Sequence, residues 1–331
     1  MSRPTRVFLL SLALITAACS GAPPPSATLH VDPTIPTAFP LALRDDEGAE
    51  VTITAEPQTI VSLTPANTEI VYALGAGDRM RGGTDFDDFP AEAAALPDVV
   101  AGVQVLTEQI VAIDPDLVLA GGNNFTPAAE VERLRGLGIT VLVVYPETVD
   151  EVVADIRLIG RAIGRHDEAM AITEGMEARI RDITSVVSRL EPLRTFYEIG
   201  YGPDIYGPAP NSFVADMVEL AGGEAITSSD PAVFSISLED LVDKDPEVIV
   251  LGDAAYGTCP ETVPSRPGWD SMTAVADAAI RPVDDIVVTR PGPRLAEGLA
   301  ALALAIHPDA QIKPPTAGAV LCADPGVSST P

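Results

Sequence analysis

The chain has 331 residues, of which 47% are apolar, 5% aromatic and 21% charged. This composition is typical of a globular protein with one large or two medium domains, and it excludes a disordered chain. The formal charge of −28 at pH 7, with no basic patch, argues against binding to nucleic acid. Such a charge favours solubility, and it also suits a partner with a basic docking face.

The first 18 residues have the pattern of a lipoprotein signal peptide. Arg3 and Arg6 precede an apolar run at residues 7–15, which is too short to span a membrane. Small residues stand directly before Cys19, as in a lipobox, although Thr16 replaces the usual leucine. We therefore expect lipidated Cys19 to anchor the chain outside the cytoplasm, on the cell surface or the periplasmic face of the membrane. A plain secretory signal is the alternative.

Residues 19–40 are rich in proline, and such stretches act as extended tethers. The prolines are Pro23, Pro24, Pro25, Pro33, Pro36 and Pro40. Exported thiols tend to pair, so Cys259 and Cys322 are candidates for a disulfide. The bond would close a loop of about 60 residues, add about 4 kcal/mol of stability and hold the tail at residues 309–331.

The most informative pattern is an internal duplication. Residues 106–121 and 237–252 each read as a short amphipathic helix, followed by an Asp-Pro pair and then by a continuous apolar run. At an offset of 131 positions (239 − 108), Glu108 aligns with Glu239. The proline ends each helix, and the apolar run is typical of a strand buried on both faces of a parallel sheet.

A weaker similarity supports two related lobes. Residues 59–63 read as a strand, residues 65–67 as a turn and residues 68–74 as a helix followed by glycine. Residues 195–199 and 212–220 repeat the strand and the helix, again with glycine behind the helix.

Apolar stripes between these lobes predict two linking helices. Gly164 separates them, and the second runs from about Asp167 to Leu190. We therefore expect an α/β protein of two lobes, each with a mostly parallel sheet flanked by helices, bridged by one long rigid helix. The expected boundaries are 41–147 for the first lobe, 148–192 for the linking helices and 193–308 for the second lobe.

Several short motifs occur in a fixed order along the chain. They are VSLTPANTEI at 61–70, TDFDDFP at 84–90, the two duplicated segments, NSF at 211–213, LAGGE at 220–224 and RPGPR at 290–294. Through them residues 39–308 resemble the substrate-binding lipoproteins for iron-siderophores, haem and vitamin B12, and most of all the cobalamin-binding branch.

This resemblance implies a ligand held in a cleft between the lobes and an ABC permease dimer with a cytoplasmic ATPase as the partner. It also implies one exposed glutamate per lobe that docks on permease arginines, and Glu108 and Glu239 stand at those positions. Each also begins a helix, where a carboxylate stabilises the helix dipole without any docking role. We expect the protein to be a monomer.

Ligands of open α/β sheets contact the loops at the carboxyl ends of the strands. The first-lobe candidates are Thr64, Pro65, Asn67, Asp85, Phe86, Asn123 and Phe125, with Asp87, Gly122 and Asn124 in the same loops. The second-lobe candidates are Tyr201, Tyr206, Phe234 and Tyr256, with Trp269 as a further member. Aromatic walls suit a broad corrinoid or porphyrin ring. Arg290 and Arg294 suit a ferric chelate with acidic groups, or salt bridges in an acidic chain.

Two other function classes lack support in the sequence. A carrier of free metal ions needs converging ligands, whereas His30, His166 and His307 lie outside the predicted cleft loops. An enzyme is also not expected, because there is no nucleophile elbow and no phosphate-binding glycine loop. We expect no cofactor or bound metal of the protein's own and a metal chelate as ligand. The chelate is a corrinoid, with a ferric siderophore or haem as the alternative.

Overall fold

The computed structural model describes residues 38–122 and 125–316. Cys19, most of the tether, Asn123, Asn124 and Cys322 lie outside the described residues. The signal peptide, the lipid anchor and the Cys259–Cys322 bond therefore stay predictions. In the part of the chain that is described, no helix is long and apolar enough to cross a membrane.

The first lobe is built around a six-stranded sheet. Its elements in chain order are β1 (Leu41–Arg44), β2 (Glu50–Ile53), β3 (Ile60–Ser62), α1 (Pro65–Ala73), β4 (Met80–Thr84), β5 (Asp98–Ala101), β6 (Gln104–Val105), α2 (Thr107–Ile113), β7 (Leu117–Ala120), α3 (Ala128–Gly136) and β8 (Val141–Val143). The strand order is β6-β5-β4-β3-β7-β8, and every neighbouring pair is parallel except β5 and β6. Strands β1 and β2 form a separate antiparallel hairpin.

Two helices connect the lobes, α4 (Val149–Ala162) and α5 (His166–Val187). Thr148 and Glu151 form a capping box at the start of α4, which satisfies backbone N–H groups that have no partner within the helix. Gly164 separates the helices with a φ of 71°, a conformation that favours glycine. Helix α5 has 22 residues. At 1.5 Å per residue it spans about 33 Å. The predicted long bridging helix is present and ends three residues earlier than Leu190.

The second lobe contains two small sheets. Its elements are β9 (Leu193–Glu198), β10 (Gly200–Tyr201), β11 (Ile205–Tyr206), α6 (Phe213–Leu220), β12 (Gly223–Ala225), β13 (Ser235–Ile236), α7 (Leu238–Lys244), β14 (Val248–Leu251), α8 (Thr273–Ala276), β15 (Ile280–Pro282), α9 (Asp285–Thr289) and α10 (Leu295–Ile306). Strands β12-β9-β14-β15 form a parallel sheet, and β10-β11-β13 form an antiparallel one. The predicted α/β class is confirmed.

The duplication is present in the backbone as well as in the sequence. Strand β6, helix α2 and strand β7 return as β13, α7 and β14, each with both bounds shifted by 131 positions (235 − 104, 238 − 107, 248 − 117). Asp114 ends α2 and Asp245 ends α7, both in the left-handed region, with φ of 54° and 44°. That conformation is rare outside glycine, and aspartate tolerates it better than most residues. In each lobe, therefore, an aspartate with a positive φ ends an exposed helix just before a buried strand.

One local prediction is wrong: the expected turn at residues 65–67 is the first turn of α1. Thr64 is the N-cap, and its hydroxyl accepts a hydrogen bond from the backbone N–H of Asn67 at 3.3 Å. Pro65 occupies the first helical position, where its fixed φ suits the helix and its missing N–H costs nothing. Proline here begins a helix instead of preventing one.

The largest buried apolar cluster is shared by both lobes and the linking helices. It includes Leu119 of β7, Val152 of α4, Met176 of α5 and Leu299 of α10. Ile312 belongs to the same cluster, so the beginning of the expected tail packs on the body of the protein. Because the linking helices are part of the core, bending between the lobes requires apolar contacts to separate.

Gly298 allows helix α10 to lie against the end of α9, and we expect alanine there to be destabilising. A Cβ at this position would lie 2.1 Å from the carbonyl oxygen of Val287, which is backbone and cannot move aside freely. We expect Gly298→Ala to lower the free energy of unfolding by about 1–3 kcal/mol in urea denaturation of residues 20–331.

The matched control for this prediction is Gly175→Ala on the exposed face of α5, where an added Cβ meets nothing within 4 Å. It should raise the free energy of unfolding by about 0.5–1 kcal/mol, because alanine favours the helix. Equal effects of the two substitutions would contradict the packing described for Gly298.

Candidate functional site

The carboxyl ends of strands β3 and β7 lie side by side, and the polar side chains there form hydrogen bonds within the protein. The side chains of Thr64 and Asn67 are buried. The Asn67 amide donates to the carbonyl oxygen of Ala120 at 3.3 Å, which joins α1 to the end of β7. Thr64 and Asn67 were expected to bind ligand, but they present little surface to one. Pro65 beside them is half-buried.

The loop after β4 is held by two aspartates and exposes an aromatic ring between them. Asp87 is buried, and it accepts hydrogen bonds from the Thr84 hydroxyl at 2.9 Å and the Thr68 hydroxyl at 3.0 Å. Burial raises the pKa of Asp87, and these bonds oppose the rise. Asp85 accepts from the backbone N–H of Gly102 at 2.8 Å. Phe86 is thereby fixed at its backbone while its side chain stays exposed.

Aromatic side chains that the sequence placed in ligand loops are exposed in both lobes. The exposed fractions are 60% for Phe86 and Phe125, 41% for Tyr201, 42% for Tyr206, 48% for Phe234 and 77% for Tyr256. Exposed aromatic rings that gather in loops are typical of binding surfaces. Trp269 is an exception to the expectation: it is only 1% exposed and belongs to the core of the second lobe, so it cannot line a cleft.

Three of the second-lobe aromatics belong to one small sheet. Tyr201 lies on β10 and Tyr206 on β11, where Gly200 pairs with Tyr206. Phe234 directly precedes β13, and its carbonyl oxygen accepts from the backbone N–H of Gly207 at 2.9 Å. Tyr201 pairs with Ile205 and Tyr206 pairs with Ser235, so the side chains of Tyr201 and Tyr206 project from opposite faces of this sheet.

Sequence analysis missed two further residues that present apolar surface near these loops, one half-buried tyrosine and one exposed valine. Tyr145 follows β8, and its ring lies 5.9 Å from that of Phe125. Val103, at the turn between β5 and β6, is 92% exposed. It stands 131 positions before Phe234 (234 − 103), so extending the duplication three residues further back would have identified it.

The two candidate arginines bind carboxylates of the other lobe. Arg294 donates through Nε and Nη2 to the two carboxylate oxygens of Glu69, at 2.8 and 2.9 Å. Arg290 pairs with Asp88 and lies 3.6 Å from Glu69. Arg294 also stacks on the ring of Phe89, 4.0 Å from its centre. Of the two expected roles, the structure supports the salt bridges, here between lobes.

A cavity of about 550 Å³ lies between the first lobe and helix α4, beside Tyr145 and Gly122. The carboxylates that line it belong to Asp46, Glu47, Glu147, Glu151 and Asp155. Asp155 is 4% exposed, and its Oδ2 has no hydrogen-bond partner within the described residues. Burial, followed by the negative charges of Asp46 and Glu151, raises the pKa of Asp155 to about 8. No three metal-binding side chains in residues 38–122 and 125–316 are placed to hold a metal ion.

The two expected docking glutamates are exposed at equivalent places. Glu108 lies in the first turn of α2 and Glu239 in the first turn of α7. Their place on matching helices follows directly from the duplication. Cys259 is half-buried, and its expected partner is not among the described residues.

The comparisons with known proteins identify the family. The periplasmic binding protein family matches residues 60–285. The chain belongs to the periplasmic binding protein family. It is a substrate-binding protein of the type that serves ABC importers outside the cytoplasm, and the expectation that it is not an enzyme is confirmed by this membership.

Three relatives show how far the similarity extends. An uncharacterized ABC transporter substrate-binding lipoprotein, YvrC of Bacillus subtilis, is 34% identical over 82% of this chain and 87% of its own length. A cobalamin-binding protein of Halobacterium salinarum is 32% identical over 91% of this chain and 84% of its own. The crystal structure of an ABC-type Fe³⁺-hydroxamate transport system from Saccharomonospora viridis has a TM-score of 0.66 and 27% identity, covering 81% of this chain and 99% of that one.

We expect Asp155→Asn to stabilise the protein at alkaline pH. The folded chain keeps this proton up to pH near 8, whereas an unfolded aspartate releases it near its ordinary value of 3.8. Stability therefore falls as the pH rises between these values. Asparagine cannot ionise, so this fall should become shallower. The melting temperature at pH 8 should rise by roughly 2–4 °C for each kcal/mol relieved.

Thermal unfolding from pH 4 to pH 9 measures the effect of this substitution. Asp182→Asn on the exposed face of α5 is the control, because its carboxylate is in water. If the two variants show the same pH profile, the proton assigned to Asp155 is not held there.

Proposed function

We propose that this protein captures a corrinoid outside the cytoplasm and delivers it to an ABC permease. The main support for this proposal is that the predicted ligand-binding loops of both lobes have exposed aromatic side chains. A broad, largely apolar macrocycle can cover such rings, and the polar groups on its edge can bond to the surrounding loops. The cobalamin-binding relative, which matches nearly the whole chain, supports the same ligand class.

Electrostatics distinguishes the corrinoid from strongly anionic ligands. The guanidinium groups of Arg290 and Arg294 are already neutralised by Glu69 and Asp88. The cavity beside Tyr145 is lined by carboxylates. A ferric catecholate or a haem propionate that entered this cavity would meet net negative charge, and like charges at close range are unfavourable. Cyanocobalamin has no net charge to repel.

A ferric hydroxamate is the second candidate, and the Saccharomonospora viridis structure favours it. Hydroxamate chelates are neutral or cationic, so the acidic cavity does not exclude them. They lack a large flat ring, however, and would leave much of the aromatic surface uncovered. Dependence of binding on the aromatic residues therefore separates the two ligands.

Delivery involves the matched acidic groups of the two lobes. We propose that Glu108 and Glu239 each pair with a permease arginine, because a carboxylate and a guanidinium form directional, charge-assisted bonds. Two equivalent contacts on a pseudo-symmetric protein fit a permease dimer. Lipidation of Cys19 and the tether at residues 19–40 would keep the protein, as a monomer, near its permease.

The ligand assignment is tested by calorimetric titration of residues 20–331. The compounds are cyanocobalamin, a ferric hydroxamate, a ferric catecholate and haem. We expect one-to-one binding of cyanocobalamin, and weakening of about five- to thirtyfold by Tyr206→Ala, since an aromatic contact of this kind contributes about 1–2 kcal/mol. Binding of the ferric hydroxamate alone would transfer the assignment to iron uptake.

The docking assignment is tested by the double variant Glu108→Ala, Glu239→Ala. Both side chains lie outside the aromatic loops, so ligand affinity should stay within about twofold while uptake into cells or proteoliposomes is lost. Asp243→Ala, on the same helix as Glu239, serves as the control and should transport normally. Loss of ligand binding in the purified double variant would refute the docking role.

A further inference from the structure

Arg266 packs against Tyr201 of strand β10 in the second lobe. It is 8% exposed, and its guanidinium donates to both oxygens of the buried Glu198, at 2.5 and 2.9 Å. Its Cζ lies 3.8 Å from the centre of the Tyr201 ring and 4.5 Å from that of Trp269. The two rings meet edge to face, 5.5 Å apart at 87°. One cation therefore contacts a carboxylate and two aromatic rings.

Apart from Arg266 and the edge contact with Trp269, the position of Tyr201 depends on a short strand. Its strand β10 is two residues long and pairs only with β11, and the turn that follows begins at Gly202. The ring is 41% exposed, so solvent covers a large part of it. An exposed tyrosine on so short a strand would exchange between rotamers if nothing held its ring. The inner face of this ring rests on the guanidinium of Arg266.

The guanidinium itself cannot move. Glu198 ends β9 in the middle of the parallel sheet and is fully buried, and its two oxygens fix both terminal nitrogens of Arg266. Such a planar, two-point contact sets the orientation of the guanidinium as well as its position. The position of Glu198 in the central sheet therefore fixes the guanidinium of Arg266, and the guanidinium in turn supports the Tyr201 ring.

We propose that Arg266 is a positioning residue for ligand capture, holding the Tyr201 ring so that its outer face receives the ligand. This inference rests on the proposed function in one respect, namely that Tyr201 contacts the ligand. A fixed ring binds more tightly than a mobile one, because the loss of rotamer freedom has already occurred in the free protein. Arg266 touches no ligand and acts only through Tyr201.

Removing the charge at Arg266 would leave Glu198 buried without its cation, next to Asp253, and the protein could fail to fold. Arg266→Lys avoids this difficulty. Lysine keeps the positive charge beside both carboxylates but has neither the two-point contact nor the flat surface on which a ring can stack. Circular dichroism and the melting temperature establish that the variant is folded.

The decisive experiment is a double-mutant cycle with cyanocobalamin as the probe. Tyr201→Ala and Arg266→Lys should each weaken binding, by about tenfold and about fivefold. In the Tyr201→Ala background, Arg266→Lys should change the dissociation constant less than about twofold, because its effect passes through the missing ring. Tyr256→Ala is the control partner, since Tyr256 lies in the same lobe and the rings that Arg266 stacks on are those of Tyr201 and Trp269. Its effect should multiply with that of Arg266→Lys.

Either of two outcomes overturns the proposal. One is an unchanged affinity in Arg266→Lys, and the other is an equal loss with and without Tyr201, which would indicate a purely structural role. A crystal structure of unliganded Arg266→Lys gives an answer that does not depend on the ligand. If the Tyr201 ring keeps its position there, the positioning role is refuted even if the protein binds no corrinoid. Absence of cyanocobalamin binding in the wild type, with a displaced Tyr201 ring in the variant, would refute the proposed ligand alone.

Discussion

The carboxylate of Glu69 is the charge on which the arrangement of the two lobes depends. It is buried in the first lobe, and the guanidinium groups that neutralise it, Arg294 and Arg290, belong to the second. Leaving a buried carboxylate without its cation costs about 3–5 kcal/mol. The lobes are therefore held together at this point by a requirement for charge balance, in addition to the apolar core that they share through α4, α5 and α10.

This requirement has a consequence for binding. Arginine side chains near a cleft are the natural recognition groups for anionic chelates. Here Arg294 donates its hydrogen bonds to Glu69 of the other lobe. The residues that line the cavity beside Tyr145 include several carboxylates and no lysine or arginine. For the proposed ligand, stability and selectivity would have the same origin, because the ion pairs that join the lobes also neutralise Arg290 and Arg294.

The sequence predicts the features that depend on local patterns. The sequence predicts the duplicated helix, Asp-Pro pair and strand because Glu108 and Glu239 stand at the start of the same short pattern. The apolar stripe predicts the bridging helix. The partners of the arginines were not predictable in this way, since Glu69 precedes Arg294 by 225 positions and no local signal connects them. Burial of Trp269 was missed for a similar reason: an aromatic residue in a loop can face the core or the solvent, and only its tertiary neighbours decide.

A ligand recognised through aromatic surface places particular demands on the protein. Contacts with ring faces depend steeply on distance and orientation, and there is no strong ion pair to compensate for a poorly placed ring. Affinity then depends on how much of the binding surface is ordered before the ligand arrives. Under the proposed function, three features act in that direction because each fixes geometry in the free protein: helix α5, the Glu69 ion pairs and the Glu198–Arg266 contact. For the proposed neutral macrocycle, selectivity and rigidity would both follow from pairing Arg266, Arg290 and Arg294 with carboxylates of the protein itself.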